Sequence, residues 1–128
     1  MRKKVLLVDD QVLDLALTRQ ALKDCSIEHD IVSAGDGFEG LTQLRSREFD
    51  VVVLDLKMPK VDGFEVLSEI RMQPTLSKTP VIVLSNSDLL SDRARADALG
   101  AVEYVHKSLD YADFKHKLQT ALGRHGFC

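Results

Sequence analysis

The chain has 128 residues, with 17 lysines and arginines against 20 aspartates and glutamates, and a formal net charge of -3. That length suits one domain, large enough to bury about two-thirds of the surface of its unfolded chain. No basic field invites nucleic acid, so the charge argues against direct DNA binding. The apolar runs are too short to span a bilayer. We therefore expect a cytoplasmic protein with a single domain over residues 1–128 and no effector domain.

The two cysteines, Cys25 and Cys128, are too few for a disulfide framework or a metal-ligand set. We expect Cys25 to be a small residue within a helix and Cys128 to be a free thiol. Basic residues at the start precede only a short apolar run, residues 5–8, which ends at two aspartates. That run is too short for a signal peptide and predicts a strand.

Short apolar runs alternate with helical patterns in chain order. Continuous runs of this kind are typical of parallel strands that are covered on both faces. The predicted strands lie at residues 5–8, 31–32, 51–54, 81–84 and 102–105. Between them, apolar residues recur near helical spacing in the first, third, fourth and fifth predicted helices. These residues are Leu13, Leu17 and Ala21; Val66, Leu67 and Ile70; Leu90, Ala94 and Ala98; and Phe114, Leu118 and Leu122.

Residues that begin and end helices agree with this division. We expect Asp36 and Asp88 to cap helix starts and Gly100 to end the fourth helix, while Pro80 precedes the fourth strand. Five strand–helix units joined by right-handed crossovers predict an α/β protein with a doubly wound parallel sheet. We expect the flavodoxin-like (βα)5 arrangement with strand order 2-1-3-4-5.

Polar side chains end four of the predicted strands. Asp9 and Asp10 follow the first strand, Asp55 the third, Ser85 the fourth and Lys107 the fifth. In the expected order these strands are neighbours, and binding sites form beyond the carboxyl ends of such strands. Three carboxylates packed together repel one another unless a cation neutralises them. Mg2+ is suited to this role, since it prefers oxygen ligands and accepts phosphate oxygens.

This cluster predicts phosphoryl chemistry. Asp55 can attack phosphorus and form an aspartyl phosphate, while Lys107 and Ser85 contact the phosphoryl oxygens by charge and by hydrogen bonding. Each residue also has an ordinary interpretation: Asp9 and Asp10 as helix caps, Asp55 as a turn residue, Ser85 as a strand-end hydroxyl and Lys107 as a solvated lysine. Their convergence at one edge of the sheet favours the phosphoacceptor interpretation.

Four segments carry a family resemblance: LLVDD at 6–10, VVLDLKMPKVDG at 52–63, VIVLSNS at 81–87 and GAVEYVHK at 100–107. Together they resemble the receiver domains of two-component response regulators over essentially the whole chain. The resemblance implies that Asp55 takes a phosphoryl group from a sensor histidine kinase. It also implies that Asp9, Asp10, Asp55 and the backbone carbonyl of Lys57 hold Mg2+.

Further roles follow from the same resemblance. Ser85 would be the phosphate-sensing hydroxyl, Lys107 the phosphate-pairing cation and Tyr104 the rotating switch aromatic. Phosphorylation would then change the surface formed by the fourth helix, fifth strand and fifth helix. The partner would be a downstream protein, a histidine phosphotransfer protein or a second copy, so the domain is a monomer or a homodimer. It would be a regulator and not a metabolic enzyme, with no membrane or nucleic-acid partner.

Some positions depart from the family pattern. Ser108 follows Lys107 where the family usually has a proline that supports a cis peptide, which leaves the geometry of this loop open. Asn86 stands where a small residue is common, and Lys57 and Ser87 flank the phosphate entrance. Asn86 and Ser108 support one alternative, an interaction module that has the receiver fold but works without phosphate. The Lys-Ser pair also resembles the small regulators that partner bacterial phytochrome kinases.

A second alternative is a Mg2+-dependent phosphohydrolase with Asp55 as its nucleophile. Such enzymes place a second aspartate two residues after the nucleophile, where this chain has Lys57. The four histidines show no metal-ligand spacing, so we expect them to be structural or surface residues. Arg93 and Arg95 are expected to belong to a solvated helix face.

Overall fold

A computed structural model of the chain describes residues 2–87 and 89–128. Strands and helices alternate throughout, as predicted. The strands are β1 (Lys3–Val8), β2 (His29–Ala34), β3 (Val51–Asp55), β4 (Val81–Ser85) and β5 (Glu103–His106). The helices are α1 (Val12–Lys23), α2 (Gly37–Ser46), α3 (Gly63–Met72), α4 (Leu90–Ala98) and α5 (Tyr111–Arg124). The predicted cap Asp88 lies outside the described residues.

The strands form one parallel sheet in the order β2-β1-β3-β4-β5, which confirms the predicted flavodoxin-like fold. In its register, Val8 pairs with Leu54, Asp55 with Leu84 and Ser85 with His106. Because all five strands run in the same direction, their carboxyl ends lie along one edge of the sheet. That edge carries the polar residues predicted to form the site.

Two apolar clusters cover the two faces of the sheet. On β1, Leu6 and Val8 contribute to the cluster with α2, α3 and α4, while Val5 and Leu7 contribute to the cluster with α1 and α5. All four side chains are almost completely buried. Side chains alternate between the faces of a strand, so burial on both faces requires a continuous apolar run. Each fully buried aliphatic side chain contributes about 1.5–3 kcal/mol.

Predicted helix boundaries also agree with the structure. Asp36 is the N-cap of α2 and its carboxylate accepts a 2.7 Å hydrogen bond from the Glu39 amide. Gly100 follows α4 with φ +88, a left-handed conformation that favours glycine at a helix end. The bounds of β5 differ slightly from the prediction: Val102 lies outside the strand, although its amide donates to the Val81 carbonyl at 2.9 Å.

Several of the apolar residues that recur at helical spacing in α1 and α4 are exposed in the structure. Leu13 is 71% exposed, Leu90 is 82% exposed, and Ala94 and Ala98 are exposed as well. In α4 the buried residue is Ala96, which points away from the stripe that the other three form. Small and charged residues in α4 give two possible apolar faces, and local spacing does not choose between them. No helix among the described residues is both long and apolar enough to cross a membrane.

The expectation for both cysteines is wrong. Cys25 lies in the turn after α1, and it forms a disulfide with Cys128, 103 residues away, with a Cα–Cα distance of 5.1 Å. The residues that follow α5 approach this turn because Phe127 is buried in the α1–α5 cluster. The His29 imidazole Nε2 lies 2.7 Å from the Phe127 carbonyl oxygen. Two cysteines so far apart in sequence give no local signal of their pairing.

Reduction of this disulfide should destabilise the domain. A cross-link that closes a loop of this length restricts the unfolded chain, so reduction should lower the free energy of unfolding by about 2–5 kcal/mol. Urea unfolding with and without dithiothreitol measures the change. The Cys25→Ser/Cys128→Ser variant is the control, because its midpoint should not respond to the reductant. A wild-type midpoint that ignores dithiothreitol would contradict the prediction.

Candidate functional site

Four adjacent strands deliver the predicted site residues to one edge of the sheet. Asp9 and Asp10 follow β1, Asp55 ends β3, Ser85 ends β4 and Lys107 follows β5. All of them except Asp10, which is half-buried, are at most 9% exposed. Charged residues are rarely buried to this extent unless they are paired. The sheet therefore brings these five residues together as the sequence indicates.

The three aspartates fit a divalent cation. One carboxylate oxygen from each of Asp9, Asp10 and Asp55 lies within 4.8 Å of the others. The Oδ1 atom of Asp10 is buried and has no hydrogen-bond partner within the described residues. A buried polar atom without a partner calls for an explanation, and a hard cation with oxygen ligands supplies one here.

Lys107 provides positive charge beside these carboxylates. Its Nζ atom lies 2.9 Å from Asp9 Oδ2, 2.9 Å from Asp14 Oδ2 and 3.3 Å from Asp55 Oδ1. Sequence reasoning did not identify Asp14. The available signal was its place in the first turn of α1, where a negative charge also interacts favourably with the helix dipole. The ammonium is thus shared among three carboxylates.

Burial and mutual repulsion perturb these groups. Burial raises the pKa of Asp55 to about 6, and the charges of Asp9 and Asp10 add to this effect, while Lys107 opposes it. Burial also raises the pKa of Asp9, against the lowering effects of the Gln11 amide and Lys107. For Lys107, burial acts to lower the pKa, but its contacts with Asp9, Asp55 and Asp14 more than offset burial and raise it. The lysine therefore stays charged, and the carboxylates gain from any further cation.

Gly63 places α3 directly against the end of β3. A Cβ atom at this position would lie 2.4 Å from the Asp55 carbonyl oxygen and 2.6 Å from the Leu56 Cα atom. The Gly63 amide instead donates to the Leu56 carbonyl at 2.9 Å. Asp62 caps the same helix by accepting from the Glu65 amide at 3.0 Å. The Asp-Gly pair therefore fixes the backbone that follows Asp55.

Lys57 lies beside the site but its side chain points to another partner. The Nζ atom is 3.1 Å from Asp92 Oδ2 on α4 and 5.6 Å from the centroid of the Phe64 ring. Its predicted role as a carbonyl ligand concerns the backbone oxygen and stays a prediction. Arg93 and Arg95 are exposed as expected, although their guanidinium groups lie over the rings of Tyr104 and Phe64.

The two predicted switch residues both contact Ser87. The Ser85 hydroxyl oxygen accepts from the Ser87 amide at 3.0 Å. The half-buried Tyr104 donates its hydroxyl to the Ser87 carbonyl at 3.0 Å. These bonds connect Ser85 and Tyr104 through Ser87, and the movement of Ser85 and Tyr104 stays a prediction.

The residues that depart from the family pattern lie close to the site. No peptide bond within the described residues is cis, so the bond between Lys107 and Ser108 is trans. The Ser108 hydroxyl oxygen accepts from the Asp110 amide at 3.1 Å, and Asp110 in turn caps α5. Asn86 is exposed, and its carbonyl oxygen lies 3.2 Å from the His106 Nε2 atom.

Comparison with known proteins identifies a family. The profile described as the response regulator receiver domain matches residues 5–119. The transcriptional regulatory protein CiaR of Streptococcus pneumoniae is 33% identical over 123 residues, which are 96% of this chain and 53% of that protein. Response regulator Rcp1 of Synechocystis is 33% identical over 91% of this chain and 84% of its own length. The chain thus spans about half the length of relatives such as CiaR.

Solved structures agree with this result. The phosphorylated cyanobacterial phytochrome response regulator RcpA has a TM-score of 0.87 and 34% identity, covering 99% of this chain and 94% of that one. The Mn2+-bound form of Rcp1 has a TM-score of 0.86 and 31% identity, covering 94% and 92%. The chain therefore resembles regulators associated with phytochromes in both structure and sequence. The acidic cluster fits the binding of a divalent metal.

Replacement of Asp55 should stabilise the metal-free domain at neutral pH. An acid whose pKa rises from 3.8 to about 6 on folding destabilises the fold when ionised. That cost is complete above about pH 6 and disappears as the pH falls below the unfolded value. We expect Asp55→Asn to raise the free energy of unfolding by about 1–3 kcal/mol at about pH 7.5, and by less at about pH 5.

Urea unfolding in the presence of a chelator, at both pH values, measures this gain. Asp30→Asn is the control, since Asp30 is exposed and lies outside the cluster. Added Mg2+ should reduce the difference in free energy of unfolding between Asp55→Asn and the wild type, because it binds and stabilises the wild type. A wild type more stable than Asp55→Asn at neutral pH without metal would contradict the prediction.

Proposed function

Because this chain belongs to the response regulator receiver domain family, we propose that it accepts a phosphoryl group on Asp55 from a sensor histidine kinase. The observation that carries this proposal is the cluster that brings the buried Asp55 within reach of two other aspartates and of the Lys107 ammonium. Receiver domains regulate other proteins, and we propose the same for this one. We place it in the cytoplasm, without a nucleic-acid or membrane partner.

Asp55 would be the nucleophile. With a pKa of about 6, it is mostly ionised at neutral pH. Its carboxylate oxygen would form a bond to phosphorus as the bond between phosphorus and the kinase histidine nitrogen breaks, and the electron pair would stay on the imidazole. Asp9, Asp10, Asp55 and the Lys57 carbonyl would hold Mg2+, which supplies charge neutralisation for the phosphoryl oxygens.

Lys107 would then pair with the phosphoryl group. In the resting site its ammonium is shared among Asp9, Asp14 and Asp55. A phosphoryl group adds about 1.5–2 negative charges and so competes effectively for this cation. The Ser85 hydroxyl, which lies at the end of the adjacent strand, would donate to another phosphoryl oxygen.

Movement of Ser85 would carry the signal to the surface. Its hydroxyl oxygen now accepts from the Ser87 amide, and Tyr104 bonds to the carbonyl of the same residue. Loss of the first bond would allow Tyr104 to turn inward and would reshape the α4-β5-α5 surface. This surface already exposes Leu90 and Val102. The change is a population shift between two packings, read by a downstream protein, a phosphotransfer protein or a second copy.

An apolar rim around the site would contact the kinase. Val12 and Leu13 lie at the start of α1, close behind Asp10, and Leu109 lies two residues after Lys107. All three side chains are largely or fully exposed. Exposed apolar residues beside a reactive group are typical of a docking surface. We propose that they bind the helix that presents the phosphohistidine.

Asp55→Asn should abolish phosphorylation. With acetyl phosphate as the phosphodonor and Mg2+ present, we expect stoichiometric labelling of the wild type and at least a hundredfold less in the variant, on the order expected for loss of a nucleophile. Intact-protein mass spectrometry measures the added phosphoryl group. Asp30→Asn is the control and should label like the wild type. Equal labelling of Asp55→Asn would remove Asp55 from its proposed role.

Polar substitution in the apolar rim should affect kinase recognition selectively. For Leu13→Ser/Leu109→Ser, we expect the ratio of labelling by a phosphorylated histidine kinase to labelling by acetyl phosphate to fall by roughly tenfold or more, which corresponds to loss of a few buried methylenes. The kinase is one that labels the wild type. Met72→Ser is the control, because Met72 is also an exposed apolar residue but lies at the far end of α3. An unchanged ratio would exclude the rim from docking.

A further inference from the structure

A single carboxylate oxygen on α4 joins two neighbouring segments of the chain. The Oδ2 atom of Asp92 accepts a 2.7 Å hydrogen bond from the Ser87 hydroxyl and lies 3.1 Å from the Lys57 ammonium. Asp92 is largely buried, with 14% of its side chain exposed, whereas the Lys57 side chain is 56% exposed. The two partners belong to the segment after β3 and the segment before α4. We name these contacts the Lys57–Asp92–Ser87 link.

Ser87 connects this link to the predicted switch residues. Its amide donates to Ser85, its carbonyl accepts from Tyr104, and its hydroxyl oxygen also accepts from the Leu89 amide at 3.1 Å. The backbone and side chain of one serine therefore contact the phosphate-sensing hydroxyl, the switch aromatic and the start of α4. Any displacement of Ser87 must alter several of these bonds together.

Apolar packing holds α4 more weakly than it holds α3. The buried residue of α4 is Ala96, while α3 buries Gly63, Phe64, Val66, Leu67 and Ile70. A helix with so little buried apolar surface depends more on its polar contacts for its position. Such elements are also the ones that move at low free-energy cost.

We propose that Asp92 is a positioning residue that holds Ser87 and α4 in the resting arrangement through Lys57. Phosphorylation of Asp55 then weakens the ion pair between Lys57 and Asp92, because the phosphoryl group competes with Asp92 for the Lys57 ammonium. This inference rests on the proposed function and adds an electrostatic connection to α4 beside the one through Ser85 and Tyr104.

The chemistry of Lys57 suits this exchange. It stands two residues after Asp55, and its long exposed side chain reorients at little cost. Asp92 carries one negative charge, whereas an aspartyl phosphate adds about 1.5–2 charges close to Lys57. When Lys57 moves toward the phosphoryl group, Asp92 keeps its hydrogen bond from the Ser87 hydroxyl. It loses its ion pair with Lys57, which connects α4 to the segment after β3.

Binding of beryllofluoride, a phosphoryl mimic, tests the proposal in the presence of Mg2+. Asp92→Asn removes the charge that holds Lys57 in the resting state, so its affinity for beryllofluoride should rise about two- to fivefold, the range expected for a partly exposed ion pair. Asp92→Glu, which keeps the charge, should return the affinity toward that of the wild type. Asp97→Asn is the matched control, with the same charge change at an exposed position of the same helix.

A double-mutant cycle separates this role from a structural one. In a Lys57→Met background, Asp92→Asn should no longer change the affinity, because the partner that it releases is absent. Amide NMR shifts of Ser87 and Tyr104 should move in Asp92→Asn before any ligand is added. An equal effect of Asp92→Asn in both backgrounds, or no effect in the wild-type background, would overturn the link. Failure of the wild type itself to bind beryllofluoride would overturn the proposed function, and the link with it.

Discussion

The ammonium of Lys107 among three carboxylates is the interaction on which the rest of the site depends. Because the strands are parallel, β1, β3, β4 and β5 end along one edge of the sheet. The side chains that follow them are therefore brought together even where their charges repel. Apolar residues on both faces of the sheet hold the strands in this register, since a shift in register would expose the core. The site therefore concentrates negative charge: Asp55 is harder to ionise than a free aspartate, and a bound cation relieves the repulsion among the carboxylates.

The two sides of the molecule differ in how firmly they are held. Apolar side chains of α3 and the close approach of Gly63 to Asp55 make β3 and its following helix a rigid support. On the other side, α4 relies on hydrogen bonds and ion pairs that converge on Ser87 and Asp92. A firmly packed support beside a loosely packed element is compatible with the proposed phosphorylation switch, in which charge added at Asp55 would move α4 without disturbing β3 and α3.

Sequence alone predicts those features that local pattern determines. Apolar runs locate the strands, and the polar residues directly after them locate Asp9, Asp10, Asp55, Ser85 and Lys107, because chain direction brings strand ends together. Contacts that arise from tertiary packing cannot be predicted in this way. Asp14 contacts Lys107, 93 residues away, and Cys25 bonds Cys128, 103 residues away. The role of Asp92 follows only from its ion pair with Lys57. The buried face of α4 does not follow from local spacing for another reason. Leu90, Ala94 and Ala98 form one apolar stripe, but the residue that the structure buries is Ala96, on a different face.

The Cys25–Cys128 bond also determines how this fold would bear mechanical load. Tension applied between residues 1 and 128 passes through the bond at Cys25, so residues 26–127 lie in a closed loop that carries no force. The oxidised protein can be stretched to an end-to-end length of only about 80–90 Å, the contour of roughly 25 residues, whereas the reduced chain can reach roughly 420–460 Å. The force falls first on β1, which is hydrogen-bonded to β2 on one side and to β3 on the other. The redox state of this cysteine pair thus decides whether stretching unravels the whole sheet or only β1 and α1.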